Sequence, residues 1–477
     1  MTVCEQAAQV GGQIGRFERD GFGFDTGPSV LTLPAVYRDL FLKTGGPLEG
    51  EVELVPVDPA CHYRFSDGTE LDLPNASRAG VSRALAQALG GDAGEQWAAF
   101  MDRAALIWDA SRATFLEAPL DGARTLLNAS RRGRDVRTIA PWTTLRGLGR
   151  QYLRDPRLRT LLDRYATYTG SDPRRAPATV ATVPYVEQTF GSWHVAGGLR
   201  RLADALLQRL EALQVSVRTS TEVDRVLIEG GRAAGVVLAG GERVDADLVV
   251  ANADTARVYG DLVPGSEAAA SRRVLARTQP SPSAFVVMLA LRGRTSGLRA
   301  QTVLFAQDYD DEFDSVFATG RHRGRPRAVP DPAIHLSVPD DPALRPDDAH
   351  ESMVVLVNAP RHAPSAARDG IDWDTPGFAD AYADTVLALM AARGIDVRGR
   401  VLWRELRTPA DIERETRSLG GSIYGTASNG LRAAFLRPAN RSPVPGLFLV
   451  GGSAHPGGGL APVGLGAAIV AAQIGPA

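Results

Sequence analysis

The stretch that decides the fold is PGLFLVGGSAHPGGGLAPVGLGAAIVAA, residues 445–472. It starts with an apolar run typical of a buried strand, passes through a glycine-rich turn, and ends in small apolar residues that favour a helix. The backbone N–H groups of such a turn and the positive end of the helix dipole attract a phosphate or another anionic group. The sequence therefore predicts a strand–turn–helix unit that binds an anionic ligand.

A second glycine-containing stretch, MTVCEQAAQVGGQ, occupies residues 1–13. A short β-prone run ends here in Glu5 and is followed by Gly11 and Gly12. This pattern is typical of the second strand of a dinucleotide-binding unit, because an acid at the end of that strand can bond a ribose 2′-hydroxyl. An acid that is simply solvated past an ordinary strand is the alternative interpretation of Glu5.

Composition restricts the class of protein. With 477 residues and 44% hydrophobic content, the chain is long enough for about two or three domains. A net charge of −2 argues against nucleic acid as a partner. The two cysteines, Cys4 and Cys61, cannot make a disulfide framework and fit a reducing cytoplasm. The histidines follow no H-x-x-x-H spacing, so no metal site is predicted. The sequence also predicts no secretory signal and no membrane-spanning stretch.

The pattern of residues along the chain predicts alternating structure. Residues 1–75 read as short strands and glycine turns, with a hairpin around Asp67 and Gly68, and residues 76–168 read as helices. Residues 197–215 predict an amphipathic surface helix with Leu202, Leu206, Leu210 and Leu213 on its buried face. A β-meander follows at 221–254, and residues 263–414 mix strands with a helix near 376–393.

Five separated segments resemble, in their order, FAD-dependent carotenoid desaturases of the bacterial phytoene desaturase type, within the flavin amine oxidase-like group. The segments are Glu5 with GGQ at 11–13, GFDTGPSVLTLPAVYRDLF at 23–41, YATYTGSDPRRAPATVATVPYVEQTFGSWHVAGGL at 165–199, the meander from EVDRV to NAD, and PGLFLVGGSAHPGGG at 445–459. The resemblance covers essentially the whole chain. It implies an FAD cofactor and, beneath the flavin, an apolar tunnel for a long carotenoid substrate.

The resemblance also assigns cofactor-binding residues. It implies that Glu5 binds the ribose and that the other positions surround the flavin, the pyrophosphate or the adenine. Those other positions are Gly11, Gly12, Gln13, Asp25, Thr26, Gly27, Pro28, Val223, Gly451, Gly452, His455, Gly457, Gly458 and Gly459. The sequence departs from the family's pattern at three places. Gln13 replaces the usual Arg, Ala461 before Pro462 is less typical, and Ala300 and Gln301 stand where the family commonly has histidines.

The expected fold class is α/β, with a discontinuous Rossmann-like FAD-binding domain and its β-meander plus an α+β substrate domain. The FAD-binding domain is expected at 1–75, 195–262 and 415–477. A helical, membrane-facing substrate region is expected at 76–194, and the substrate domain at 263–414.

The first strand of the dinucleotide unit and its G-x-G-x-x-G turn have no counterpart in the sequence. In the strand order 3-2-1-4-5 this strand lies between the second and fourth, so its absence leaves two buried strands without a partner. We expect from this that Met1 is a misplaced start within a longer natural protein. A degenerate, inactive paralogue is the alternative.

Flavin desaturation removes a hydride from one carbon and a proton from its neighbour, so the protein supplies orientation and a dry tunnel. The candidate polar groups at the tunnel are Arg164, Tyr168, Glu187 and Trp193, of which the first three are the candidate catalytic residues. Both aromatic residues could instead be core, and Glu187 could simply pair with an arginine.

A carotenoid is insoluble in water, so the enzyme is expected to meet a membrane. From Arg124 to Arg164 the chain holds eleven arginines, interleaved with Leu126, Leu127, Trp142, Leu145, Leu148 and Leu153. Such a basic amphipathic segment can lie on anionic lipid, although a solvated face is the ordinary interpretation of a charge run. The sequence therefore predicts a cytoplasmic protein at the inner face of the cell membrane.

Carotenoid desaturation, with phytoene as an example, is the leading function. The alternatives are another carotenoid flavoenzyme (an isomerase, oxygenase or ketolase), an amine-oxidase-like enzyme, and a non-catalytic paralogue.

Overall fold

A computed structural model describes residues 1–120, 133–263, 265–365, 368–430 and 436–476. Its strands, in chain order, are β1 (Thr2–Cys4), β2 (Arg16–Arg19), β3 (Phe22–Asp25), β4 (Leu31–Thr32), β5 (Leu54–Pro56), β6 (Cys61–Arg64), β7 (Glu70–Leu73), β8 (Ser192–Val195), β9 (Ser216–Arg218), β10 (Val223–Glu229), β11 (Arg232–Leu238), β12 (Arg243–Asp245), β13 (Val249–Ala251), β14 (Ser283–Arg292), β15 (Gln301–Leu304), β16 (Ile334–Ser337), β17 (His350–Ala359), β18 (Val401–Arg407) and β19 (Leu447–Leu449).

The helices of the described residues are α1 (Ala35–Thr44), α2 (Arg78–Leu89), α3 (Ala93–Ser111), α4 (Gly133–Ile139), α5 (Leu145–Tyr152), α6 (Pro156–Thr167), α7 (Thr182–Phe190), α8 (Arg200–Ala212), α9 (Thr255–Arg257), α10 (Ala269–Leu275), α11 (Tyr309–Phe317), α12 (Phe378–Ala392), α13 (Pro409–Thr416) and α14 (Leu460–Ile474). The predicted succession of strands, helices, meander and mixed region is therefore present, and the fold is a mixed α/β fold.

A seven-stranded sheet forms the centre of the molecule, in the order β18-β14-β17-β16-β15-β6-β7. Its strands pair antiparallel except for β15 and β6, which run parallel. Strand β14 is a continuous apolar run because both faces of the sheet are covered. Phe285, Val287 and Leu289 pack into the core beneath α12, whereas Ala284 and Val286 face the opposite side.

The hairpin predicted around Asp67 and Gly68 is present as β6 and β7. It joins the seven-stranded sheet, whose other strands all lie in the region predicted to be the substrate domain. Residues 61–73 therefore contribute to the central sheet, although the sequence groups them with the cofactor-binding segments.

Three small sheets lie around the predicted cofactor region. Strands β1 and β9 pair parallel, β13 and β19 pair parallel, and β10-β11-β12 form the predicted antiparallel meander. Among the described residues, no strand joins the β1–β9 pair to the β13–β19 pair. These two parallel pairs are therefore separate two-stranded sheets in the part of the chain that the structure describes.

The helices between residues 78 and 190 pack around one apolar core. In α3, Trp97, Phe100, Met101 and Ala104 recur at helical spacing and are buried against the neighbouring helices. No helix in the described ranges is long and apolar enough to span a bilayer.

The basic segment 124–164 differs from its prediction. Residues 121–132, which include Leu126 and Leu127, lie outside the described ranges. Leu145, Leu148 and Leu153 are buried in the helical core. These three leucines therefore do not form an apolar face on the surface, because they pack into the protein interior; Trp142, in contrast, is 63% exposed. The association of the segment with a membrane stays a prediction.

The surface helix predicted at 197–215 is α8. Leu202 is buried as expected, but Leu213 follows the helix and is 53% exposed. Leu213 does not extend the buried face, because α8 ends at Ala212.

Candidate functional site

A large cavity of about 600 Å³ lies between the seven-stranded sheet, the helical region and the glycine turn after β19. The sheet contributes Ala284 and Val286, the helical region contributes Trp108 and Val183, and the turn contributes Gly458. A cavity of this size is in the range of ligand sites, which are usually apolar with a few polar groups. This cavity is the candidate active site.

The strand–turn–helix at residues 447–474 has the predicted layout. Gly457, Gly458 and Gly459 line the cavity, and α14 starts at Leu460 without a side-chain cap on its first turn. A Cβ on Gly458 would lie 2.8 Å from the Tyr424 ring, so this backbone passes too close to Tyr424 for any larger residue. The turn therefore presents bare backbone and a helix N-terminus to the cavity.

His455, in the same turn, also lines the cavity. Its Nε2 lies 2.9 Å from the carbonyl oxygen of Ala118, to which it donates a hydrogen bond. Burial lowers the pKa of His455, so the ring is neutral and links the turn to the helical region. Gly451 and Gly452 lie behind the turn and are not part of the lining; a Cβ on Gly451 would lie 2.4 Å from Asn252 Oδ1.

Arg437 is a buried cation beside this turn that the sequence analysis missed. Its guanidinium donates to the carbonyl oxygens of Gly452, Tyr424 and Thr426, at 3.0, 3.2 and 2.6 Å respectively. Burial lowers its pKa to about 10, which leaves it charged at neutral pH. A positive charge therefore lies at the cavity wall, held in place by backbone oxygens.

The loop at residues 25–28 forms the wall opposite the turn. Asp25, Thr26, Gly27 and Pro28 line the cavity together with Gln13. A Cβ on Gly27 would lie 1.9 Å from the Gln13 carbonyl oxygen, so the two segments are in direct backbone contact.

The Asp25 carboxylate contacts the start of α8. Its Oδ2 accepts the Leu199 N–H at 2.9 Å, and burial raises the pKa of Asp25. Asp25 therefore links the cavity wall to the start of α8.

Glu5, Gly11, Gly12 and Val223 lie outside the cavity lining. Glu5 Oε1 accepts the Ala7 N–H at 2.9 Å, and the Glu5 carbonyl oxygen accepts the Thr221 N–H at 2.8 Å. The end of β1 is therefore next to the chain that enters the meander at Val223. These predicted residues form a second group, separate from the residues around the cavity.

Arg164, Tyr168 and Glu187 are together at the cavity wall. The Arg164 guanidinium lies over the Tyr168 ring, 5.0 Å from its centroid, and also donates to the Thr167 hydroxyl. Burial raises the pKa of Glu187, while the hydrogen bond from Tyr165 and the charge of Arg164 act in the opposite direction. Trp193, the fourth candidate, lies in β8 opposite Leu31 and Pro56 and does not line the cavity.

The sheet side of the cavity carries a polar pair that the sequence analysis did not assign. Gln301 and His335 line the cavity, with His335 Nε2 2.8 Å from Gln301 Oε1. The alternation in β16 was the available signal: Ile334 and Leu336 belong to the apolar core, which leaves His335 and Ser337 on the other face.

Away from the cavity, a group of side chains in the described part of the chain could hold a metal ion. His362, Asp372 and Asp374 have ligand atoms within 4.8 Å of one another. Asp374 is paired with Arg414 at 3.0 Å, and both carboxylates are exposed. The absence of a metal site remains a prediction.

Comparison with known proteins identifies the class to which this fold and cavity belong. Residues 1–371 match the family described as flavin containing amine oxidoreductase, so the chain belongs to that family. A solved structure of putrescine oxidase bound to putrescine shares the fold, with a TM-score of 0.60 and 14% identity over 99% of this chain and 93% of that one.

Within that family, the chain is a member of the carotenoid desaturase group. It is 33% identical to a hydroxyneurosporene desaturase of Rubrivivax gelatinosus over 96% of this chain and 86% of the relative. It is 29% identical to a 4,4'-diapolycopene oxygenase of Methylomonas sp over 99% of this chain and 93% of the relative. The family indicates a flavin cofactor.

The residues at the cavity fit the ring end of a flavin. The turn at 457–459 offers a cradle that side chains would fill, α14 directs its N-terminus at the cavity, and Arg437 adds a fixed positive charge. These features suit the electron-rich pyrimidine edge of an isoalloxazine ring.

Proposed function

We propose that the protein is an FAD-dependent oxidoreductase that desaturates a carotenoid. The observation that carries the proposal is the cavity, which joins a glycine-rich cradle to walls of apolar side chains and can therefore accommodate a flavin ring against an oily chain. FAD, when bound, supplies a hydride acceptor for the carbon that is oxidised. The named relatives act on more than one carotenoid, so their names leave the substrate open.

In this proposal FAD is held by two groups of residues. Gln13, the loop from Asp25 to Pro28, His455 and the glycines at 457–459 surround the ring. Glu5, Gly11, Gly12, Val223, Gly451 and Gly452 take the ribose, pyrophosphate and adenine. The three-part domain division is kept as a proposal, with residues 61–73 assigned to the substrate side because β6 and β7 extend the central sheet.

Glu187 is the candidate for removing the proton. Burial raises its pKa above the ordinary range of a glutamate, which makes its carboxylate a stronger base in a dry site. Tyr165 donates to Glu187 Oε1 at 2.7 Å and fixes its rotamer. Arg164 and Tyr168 are proposed to hold the substrate chain beside this carboxylate and to exclude water.

The mouth of the cavity is proposed to face a membrane. Trp142 is exposed and directly follows Pro141, which lines the cavity; Phe190 is 39% exposed, with its ring 6.4 Å from that of Trp108, which also lines it. Exposed aromatic side chains at an opening suit the interface of a lipid bilayer. A carotenoid would then enter without crossing water.

Co-sedimentation with vesicles tests the membrane proposal. The double variant Trp142→Ala/Phe190→Ala should bind anionic vesicles less than the wild type does. The matched control is Leu402→Ala, which removes an exposed apolar residue from the edge strand β18. Equal binding of all three proteins would contradict the proposal.

Reconstitution and pigment analysis test the reaction. The purified protein should bind added FAD and acquire a flavin absorption spectrum, and cells that accumulate a carotene should produce a pigment with two hydrogens fewer when they express it. A product that gains oxygen would favour the oxygenase alternative, to which one relative's name points. An isomer of unchanged mass would support an isomerase. Peroxide release from an amine would support an amine-oxidase-like enzyme, and a protein indifferent to FAD would support a non-catalytic paralogue.

A further inference from the structure

Three arginines of the described chain line the cavity, and they differ in how the protein uses their donors. Arg407 pairs with Glu415 at 2.6 Å, and Arg437 donates to three backbone carbonyl oxygens. Arg164 has one hydrogen-bond acceptor among the described residues, the hydroxyl of Thr167 in the same helix. A guanidinium carries five N–H donors, so most of those of Arg164 are available to a ligand.

Arg164 is also a buried charge without a counter-ion in contact with it. The residue is 7% exposed, and its Nε is buried without a hydrogen-bond partner. Its guanidinium forms no ion pair with any carboxylate in the ranges that the structure describes. Since an arginine stays protonated in a protein and buried charges are normally paired, Arg164 lacks an anionic partner.

Glu187 lies on the same wall of the cavity but does not fill this role. Its Oε1 accepts a hydrogen bond from Tyr165 at 2.7 Å, not from Arg164. Burial raises the pKa of Glu187, which disfavours its ionised form. The donors of Arg164 therefore stay unsatisfied although an acid is near.

The surroundings of Arg164 restrict the kind of anion. The Tyr168 ring covers one face of the guanidinium, 5.0 Å from its centre, which leaves the edges for hydrogen bonds. The edge of a guanidinium matches the two oxygens of a carboxylate. Val180, Val183 and Val186 line the cavity in the same region, so a ligand that binds here needs an apolar body as well as an anionic group.

We propose that Arg164 binds the carboxylate of a long-chain acid, whose apolar chain lies along the cavity. This inference goes beyond the proposed function, because it gives the cavity a charged ligand that competes with the polyene. A phosphate with two charges fits less well, since Arg407 and Arg437 are already engaged and cannot supply a second free cation.

The test compares cis-parinaric acid, a fluorescent long-chain acid, with its methyl ester. The two molecules share the chain and the fluorophore and differ in the charge of one end. Each is titrated into the FAD-loaded protein at neutral pH, and its fluorescence is followed. The wild type should bind the acid at least about tenfold more tightly than the ester, the equivalent of one charge-assisted hydrogen bond.

Three variants locate the interaction. Arg164→Met removes the charge and should bind the acid and the ester equally, whereas Arg164→Lys keeps a charge and should retain part of the preference. The matched control is Arg407→Met, which removes a lining arginine that already has a carboxylate partner and should leave the preference unchanged. Flavin content and thermal unfolding of each variant establish that the fold is retained.

A small free anion is the other source of the same charge. Sodium bromide, exchanged for sodium methanesulfonate at constant ionic strength, should leave the preference for the acid in place. If bromide abolishes that preference, the site belongs to a free halide and the inference is overturned.

The inference is also overturned if the wild type does not bind the acid, if it binds acid and ester equally, or if Arg164→Met keeps the full preference. Loss of FAD from Arg164→Met with an unchanged preference would place this arginine at the cofactor instead. Failure of the proposed function has a different signature, because the fluorescence titration involves no turnover. In that case a carotene incubated with the loaded wild type loses no hydrogen, whatever the affinity for the acid.

Discussion

The hydroxyl of Tyr165 donates a hydrogen bond to Oε1 of Glu187 over 2.7 Å, between helices α6 and α7. Tyr165 is fully buried, whereas Glu187 lines the cavity. The hydrogen bond stabilises the ionised carboxylate and so opposes the effect of burial on its pKa. The base proposed for the reaction is thus adjusted by a residue that does not line the cavity.

Replacement of Glu187 by Gln should slow flavin reduction by the bound polyene about 10²- to 10⁴-fold, the usual contribution of a general base. In the wild type the rate should fall as pH drops through the raised pKa of Glu187, because the carboxylate becomes protonated. Tyr165→Phe should move this acid limb to higher pH, because it removes an interaction that lowers the pKa. Stopped-flow measurement of flavin bleaching without oxygen, from about pH 5 to 9, checks the prediction; an unmoved acid limb in Tyr165→Phe would contradict it.

Position 27 should not accept a residue larger than glycine, because the backbone of Gly27 contacts the backbone of Gln13. Gly27→Ala places a Cβ 1.9 Å from a carbonyl oxygen, and we expect a loss of about 3 kcal/mol in the free energy of unfolding together with weaker FAD binding. Gly399→Ala is the control, since it meets no atom within 4 Å and should change stability by less than about 0.5 kcal/mol. Urea unfolding and flavin titration measure both effects, and equal behaviour of the two variants would refute the expected clash.

Arg437 should be required for the shape of the glycine turn. Arg437→Met leaves the carbonyl oxygens of Gly452, Tyr424 and Thr426 without their donor, which should cost about 3 kcal/mol of unfolding free energy. The matched variant is Arg398→Met, whose ion pair with Asp396 is exposed and screened by solvent, so that its loss should leave the stability almost unchanged. Thermal unfolding and bound-flavin content of the two variants check this, and a stable, flavin-loaded Arg437→Met would contradict it.

Asp155, the N-cap of α6, and Asp163, within the same helix, should change the stability with pH in opposite directions. Burial raises the pKa of Asp163 to about 6, so the folded state holds its proton more tightly than the unfolded state does. The stability of the wild type relative to Asp163→Asn should therefore be highest below about pH 4 and fall by about 3 kcal/mol as pH rises through 6.

Asp155 is the control for this profile. Its hydrogen bond with Arg157 is the main reason that its pKa is lowered. The stability of the wild type relative to Asp155→Asn should be fully present above about pH 4 and be lost as pH falls below that value. Urea titrations of the three proteins at several pH values measure both slopes, and slopes of the same sign would show that the two carboxylates do not act as described.

Local elements of this fold could be predicted from the sequence, because their signals lie within a few residues. Asp67 and Gly68 mark the hairpin, and the apolar run of β14 marks a strand covered on both faces. The parallel pairing of β6 with β15 could not be predicted, because it joins segments far apart in the chain that carry no matching local pattern. The same limit explains why residues 61–73 were grouped with the cofactor-binding segments.

The site was predictable where backbone geometry leaves a signature in residue type. The glycines at 457–459 line the cavity, and that they bind the cofactor stays a prediction. Arg437 carried no such signature, since an isolated arginine gives no sign of its burial until the surrounding elements are assembled. For His335, the alternation of β16 indicated which face of the strand it lies on, but not that a cavity lies on that face. For the leucines of α5 the amphipathic pattern was correct, but the pattern could not tell whether protein or lipid covers the apolar face.

The walls of the cavity come from segments spread along almost the whole polypeptide, from the loop at 25–28 to the turn at 457–459. During translation, the ribosome must therefore release nearly everything before the pocket can close. Until then the exposed inner face of β14 would be open to chaperones or to other nascent chains. The order of the lining segments along the chain thus makes the cavity one of the last features that can form during synthesis.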